Sequence, residues 1–158
     1  MYDISIFREI KFPKGKLFED TGTIYKAFLL SDSIACGYYC IRENSIVTRK
    51  FTQSKMDLIE MTDIMAENVL HVYPDLASAV LRKRVHARFC ILKQMRGTDG
   101  FNKKRAEIVG FIKLHGRKVL ADKKAPFRDK LSILLLWFDC RAYYCGQGLF
   151  WEMVKYRQ

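Results

Sequence analysis

The hydrophobic period of the chain changes near residue 54, and that change divides it. Upstream, apolar residues come in short clusters broken by Pro13 and Gly15, punctuators that favour turns and short elements. In residues 2–10, Ile4, Ile6, Phe7 and Ile10 fit either a short strand or one helical turn. Asp20 and Thr21 stand where a helix begins, with Ile24, Tyr25, Phe28 and Leu29 as its apolar face. Residues 33–42, rich in aromatic and small side chains such as Tyr38, Tyr39 and Cys40, read as a strand. A polar, basic loop follows to Arg49.

Downstream the period is helical. Ser54 and Asp57 make a capping-box-like start. Leu58, Met61, Met65, Val69 and Val72 then form one face, with Asp57, Glu60, Asp63 and Glu67 away from it, until Pro74 ends the element. Residues 75–96 make a second helix with Leu76, Val80, Leu81, Val85, Phe89 and Leu92 inward. Its exterior is basic, from Arg82, Lys83, Arg84, His86, Arg88, Lys93 and Arg96, and Gly97 and Gly100 close it. A third helix over 103–121 turns Ile108, Phe111, Ile112 and Val119 inward, and Gly110 and Gly116 weaken it enough for a break. His115 on that helix has no catalytic partner in sequence. Pro126 opens a fourth helix to about Tyr144, apolar all round from Leu131 to Phe138, which predicts the hub of a bundle. After Gly146 and Gly148, residues 149–156 form a last short helix.

Composition changes the picture in one respect. Apolar and charged fractions are ordinary for a folded domain of 158 residues, but the net charge is +11. Such a surplus suits either a solubilising surface or a polyanionic partner. The five cysteines are odd in number, scattered and without a Cys-x-x-Cys pair, and the three histidines are far apart, so zinc is not expected. Free thiols in a reducing cytoplasm are. The amino terminus lacks a signal pattern, and the longest apolar run is far short of the ~20 residues a bilayer span needs.

The chemistry lies in Glu19 and Asp20. A carboxylate at the mouth of a helix stays ionised and serves either as a cap or as a general base.

The stretch Phe12-Pro13-Lys14-Gly15-Lys16-Leu17-Phe18-Glu19-Asp20 resembles the Phe-Pro-x-Gly-x-x-Tyr/Phe-Glu-Asp segment of bacterial family 2 glycosyltransferases. Tyr38-Tyr39-Cys40-Ile41-Arg42-Glu43-Asn44-Ser45-Ile46 is similar to that family's Tyr-Tyr-Tyr-Arg-x-Arg/Glu-x-Ser-Ile segment, and Lys55-Met56-Asp57-Leu58-Ile59-Glu60 resembles the helix start that comes next. The likeness covers residues 1–75 or so. It implies an inverting enzyme of surface-polysaccharide assembly that moves a sugar from a nucleotide-sugar donor to a glycan or lipid-linked acceptor. Asp20 would be the base, Glu19 would orient the acceptor, and Arg42 and Ser45 would lie near the donor diphosphate. The plain alternatives are that Asp20 caps a helix and that Arg42 pairs with Glu43.

The fold expected is mainly α: the resemblance makes residues 1–50 a small α/β remnant at the edge of a GT-A-type catalytic domain, and the helical periods make residues 51–158 a bundle of four to five helices. The family's Asp-x-Asp motif, which holds a divalent Mg or Mn ion, does not occur here. The expectation is a carboxy-terminal portion of a longer enzyme, or the product of a shortened gene, with no cofactor of its own and no activity alone. Surface meant for the missing half predicts a homodimer. Two other classes compete. The basic helices and aromatic tail fit a module docked on anionic lipid at the inner face of the cytoplasmic membrane. A nucleic-acid binder is the third, with no recognised motif behind it.

Overall fold

The computed structural model describes residues 5, 8, 10–31, 33 and 51–146. Among these the protein is a bundle of helices with no strand. The elements are α1 (Ile24–Leu29), α2 (Asp57–Val72), α3 (Ala77–Gln94), α4 (Asn102–Ala121) and α5 (Phe127–Phe138). Residues 140–146 add a last helical segment. The predicted strand over 33–42 and helix over 149–156 lie outside the described residues, apart from Ser33.

The hub is α3, and not the fourth predicted helix. It packs against α2 on one side and α4 on the other, and α4 in turn carries α5. Ile91, Leu92 and Met95 are fully buried at its carboxy-terminal end, together with Ile112, Ile133, Leu136 and Tyr143. Each such side chain contributes roughly 1.5–3 kcal/mol on leaving water. The basic residues of α3 hid its central place. Arg84 and Arg88 meet Asp63 of α2, Arg82 pairs with Asp122 after α4, and His86 meets Asp129 of α5. A helix can thus be charged in sequence and still lie between others, because its long stems pack while their heads reach acids on neighbours.

Other faces shift for similar reasons. In α1 the buried positions are Thr23, just before it, and Ala27, one turn apart, whereas Phe28, Leu29 and Leu30 are exposed. Small residues face α2 because the approach is close: a Cβ on Gly22 would stand 3.0 Å from Met61 Sδ. In α2 the seam is Met61, Thr62 and Ala66; Val72 is exposed and Asp63 faces α3. Ser54 makes no capping box: a short 3-10 turn, Gln53–Met56, leads into α2 without a side-chain cap. Pro74–Leu76 is likewise a 3-10 turn, so α3 begins at Ala77 and Leu76 stays outside.

Helix α4 runs unbroken through both glycines. Gly116 is where α5 crosses: a Cβ there would come within 2.8 Å of Ile133 Cγ2 and 3.2 Å of Trp137 Cζ2. Helix α5 stops at Phe138, short of Tyr144, because Asp139 is extended (φ −161°, ψ 150°). That break folds residues 140–146 back on α3. Tyr143 stacks on Phe89 with centroids 5.6 Å apart, and Tyr144 donates its hydroxyl to the Leu92 carbonyl at 3.1 Å. Nor is α5 apolar all round: Asp129 and Ser132 are buried with Ile133 and Leu136, while Phe127, Leu131, Leu134 and Phe138 face out.

Candidate functional site

The loop that carries Glu19 and Asp20 is fastened to α2 on both sides of the acids. Before them, Leu17 donates its N–H to Asp57 Oδ2 at 3.1 Å. Lys16 Nζ lies 2.7 Å from Glu60 Oε2 and 3.6 Å from Asp57 Oδ1. The Glu60 bond, helped by the Asp57 charge, holds the Lys16 ammonium above its usual range. After the acids, Gly22 closes on Met61 and Thr23 is buried. The acids on the first turn of α2 look like helix-start residues in sequence. Here they bind a loop some 40 residues upstream.

Between the two fastenings the backbone turns sharply. Gly15 has φ 75°, and Phe18 has φ 59°. For an aromatic residue the left-handed region costs about 1–2 kcal/mol. Strain of this kind, placed directly before two candidate acids, collects where a turn must present a side chain. Asp20 is exposed and Glu19 half-buried. Asp20 Oδ1 accepts the Thr21 N–H at 2.7 Å, and its backbone carbonyl accepts Thr23 and Ile24 at 3.0 and 2.8 Å. Oδ2 takes no hydrogen bond among the described residues.

Asp20 is therefore not the side-chain cap of a long helix, as the sequence suggests. Helix α1 starts only at Ile24, spans six residues and has no side-chain cap. What holds the carboxylate is its own turn. Chemically this leaves one carboxylate oxygen fixed and the other open to a hydroxyl. Arg42 and Ser45 lie outside the described residues.

A polar seam that sequence reading placed on the exterior joins α2 to α3. Arg88 is 7% exposed and forks onto Asp63, with Nη1–Oδ1 at 3.1 Å and Nη2–Oδ2 at 2.7 Å. Arg84 Nε reaches the same carboxylate at 2.8 Å. Burial alone would raise the Asp63 carboxyl, but the hydrogen bonds from Arg88 and Arg84 outweigh it and hold the group below its ordinary value. The Arg88 guanidinium also lies 3.6 Å from the centroid of Phe111, a cation–π geometry. The legible signal was an acid at the spacing of the buried face, three residues before Ala66.

Two cavities flank α3. One, of about 560 Å³ between α3 and α4, is lined by Leu81, Arg84, His115, Lys118, Val119 and Asp122 among others. His115 stacks on Phe111 at 4.4 Å. Burial, then the charges of Arg84, Lys118 and Arg88, lower its pKa, so it is a neutral imidazole at pH 7. The other cavity, of about 390 Å³, opens where α3 ends, between Arg96, Thr98, Arg105, Arg141 and Tyr144. This is the end of the bundle where α2 begins, since Lys55 Nζ lies 2.6 Å from Gln94 Oε1 and Phe51 meets Phe101 edge to face.

Among the described residues, no three His, Cys, Asp or Glu side chains gather as a metal site. None of the described helices is long and apolar enough to cross a membrane. Comparison with protein-family models, with curated proteins and with solved structures finds no match.

Proposed function

We propose that this chain supplies the acceptor side of an inverting family 2 glycosyltransferase of surface-polysaccharide assembly, with Asp20 as the base. The observation that carries the reading is the fastening of Leu17 to Asp57 and of Lys16 to Glu60. Two of the three stretches that resemble the family, residues 12–20 and 55–60, thereby form one unit around an exposed carboxylate.

The chemistry asks little else of this chain. A sugar hydroxyl is a weak nucleophile, so an acid within hydrogen-bond reach must take its proton as the oxygen attacks the anomeric carbon. On this reading Asp20 Oδ2 takes the proton, while the Thr21 N–H keeps Oδ1 in position. Glu19 orients the acceptor. The resemblance assigns Arg42 and Ser45 to the diphosphate, which leaves from the opposite side of the sugar. The divalent Mg or Mn ion that balances the diphosphate would belong to the donor-binding half of the longer enzyme.

The test joins this chain to the donor-binding half of a family 2 enzyme and measures sugar transfer from the nucleotide sugar. Asp20→Asn lowers turnover by about 10²–10⁴-fold, the usual reach of general-base catalysis. Turnover equal to that of the unchanged fusion overturns the assignment.

A second reading, compatible with the first, rests on α5. Phe127 (77% exposed), Leu131, Leu134 and Phe138 (87% exposed) recur at helical spacing on its outer side. Lys123, Lys124 and Arg128 are exposed beside its start. An apolar stripe with cations at its end suits the headgroup region of an anionic bilayer. Sedimentation with phosphatidylserine vesicles that fades with salt supports it, and equal sedimentation with neutral vesicles counts against it.

A further inference from the structure

The crossing of α3 and α5 sets a thiol, an imidazole and a carboxylate in a row. Cys90 Sγ lies 3.5 Å from His86 Nε2, and His86 Nδ1 lies 3.4 Å from Asp129 Oδ2. The first pair is set by helix geometry, since residues four apart share a face. The second is set by the first turn of α5, where Asp129 is buried. Asp129 is doubly engaged: Oδ1 accepts Arg128 Nε at 3.2 Å while Oδ2 faces His86.

Arg128 Nη2 also lies 3.3 Å from His86 Nδ1, and Nδ1 cannot both accept from arginine and donate to aspartate. The carboxylate decides it. An imidazolium donates Nδ1–H to Asp129, which sits between two cations and offsets their repulsion. The bond to Asp129, then that to Cys90, outweighs burial and raises the imidazole to about 9. Nε2 is then left to the sulfur, and the second nitrogen's partner fixes which way it faces. The charged and titratable groups around the thiol are His86 and Lys93 on α3, Arg128 and Asp129 on α5, and Tyr143 behind them.

We propose that Cys90 is a nucleophilic thiol with His86 as its proton partner and Asp129 as the positioning residue, and that its substrate is a small hydroperoxide. Nucleophile, base and orienter stand in the order that activates a thiol. Cys90 is only partly exposed, which favours a substrate of two or three heavy atoms. Lys93 and Arg128 add positive charge, which favours the anionic oxygen that leaves. The Nε2–H of that imidazolium holds the proton that Cys90 has given up, so the pair stands as thiolate and imidazolium, and the thiolate attacks one peroxide oxygen. The S–O bond forms as the O–O bond breaks, so sulfur is oxidised to a sulfenic acid and the peroxide is reduced. The departing oxygen takes the proton from His86 and leaves as water from hydrogen peroxide, or as an alcohol from an organic hydroperoxide.

The test treats the 158-residue chain with iodoacetamide at neutral pH and maps the product over its five cysteines. Cys145, which is exposed, is the internal reference. Cys90 reacts faster than Cys145 although it is less accessible, and hydrogen peroxide with dimedone leaves an adduct on Cys90. His86→Asn slows alkylation of Cys90 by about tenfold or more without changing Cys145, and Asp129→Asn acts in the same direction. Slower alkylation of Cys90 than of Cys145 in the unchanged chain overturns the proposal without any variant. So does an unchanged rate in His86→Asn with its circular dichroism intact. Fast alkylation with no dimedone adduct overturns the hydroperoxide as substrate.

Discussion

Asp57 accepts the backbone N–H of Leu17 at 3.1 Å, so the opening turn of α2 sets the height of the loop that bears Glu19 and Asp20. The neighbouring contact, Lys16 with Glu60, lies in water, with Glu60 half-exposed. The two are unequal. A hydrogen bond to a charged, half-buried acceptor contributes about 1.5–3 kcal/mol, whereas exposed ion pairs contribute little.

Asp57→Ala therefore destabilises the chain by about 1.5–3 kcal/mol, and Glu60→Gln changes it by less than about 0.5 kcal/mol. Urea denaturation separates them. Trypsin adds a local reading: cleavage after Lys14 and Lys16 accelerates in Asp57→Ala and not in Glu60→Gln. Equal cleavage in both variants would show that the loop is held by something else.

Asp63 and Arg88 form the opposite case, a fork buried between helices. Asp63→Ala strands a guanidinium that is 7% exposed, which costs about 3 kcal/mol. Replacing both partners, as Asp63→Leu with Arg88→Met, removes the stranded charge and returns most of that loss. The pH dependence follows from the lowered Asp63 carboxyl. Its contribution is present above the ordinary carboxylate value and is lost as pH falls through the folded value. Acid unfolding monitored by circular dichroism is shallower in the double variant than in the unchanged chain.

The sequence shows α2, α3 and α4 to within a few residues, because Pro74 and the pair Gly97 and Gly100 bracket strong helical periods. It does not show which of them is central. Arg88 looks solvated until Asp63 and Phe111 are known to stand opposite, and those partners are 25 and 23 residues away in sequence. The turn that carries Glu19 and Asp20 is legible from Pro13 and Gly15, but its support is not: Asp57 reads as the start of its own helix. The end of α5 was missed because Asp139 follows an unbroken apolar run. The turn there goes with the packing of Tyr143 on Phe89 and the bond of Tyr144 to the Leu92 carbonyl, partners far off in sequence.

The two glycines of α4 behave oppositely on replacement. A Cβ on Gly110 meets nothing within 4 Å, so Gly110→Ala gains helix propensity and stabilises by about 0.5–1 kcal/mol. A Cβ on Gly116 would stand 2.8 Å from Ile133 Cγ2, with Trp137 at 3.2 Å. Neither neighbour is the free end of a flexible chain, and overpacking costs about 1–3 kcal/mol. Gly116→Ala thus lowers the melting temperature while Gly110→Ala raises it. The same sign for both would mean that α5 does not cross α4 at Gly116.

The His86–Asp129 pair makes stability fall on the alkaline side. The folded imidazole titrates at about 9, above its ordinary 6.5, so its contribution is whole below pH 6.5 and disappears as pH rises towards 9. Asp129 works in the other direction. Burial alone would raise it, but the His86 bond and the charges of His86 and Arg128 bring it below its usual value. Its share is present above the ordinary carboxylate range and is lost in acid. The side chain of His86 keeps 38% of its surface in water, and with that screening the alkaline loss amounts to about 1–2 kcal/mol. Urea midpoints measured from pH 6 to pH 9.5 fall accordingly in the unchanged chain. In His86→Gln, which removes the titrating group, they stay level over the same interval. A midpoint that falls equally in both would place the alkaline transition elsewhere, with the lysines or tyrosines and not at the junction of α3 and α5.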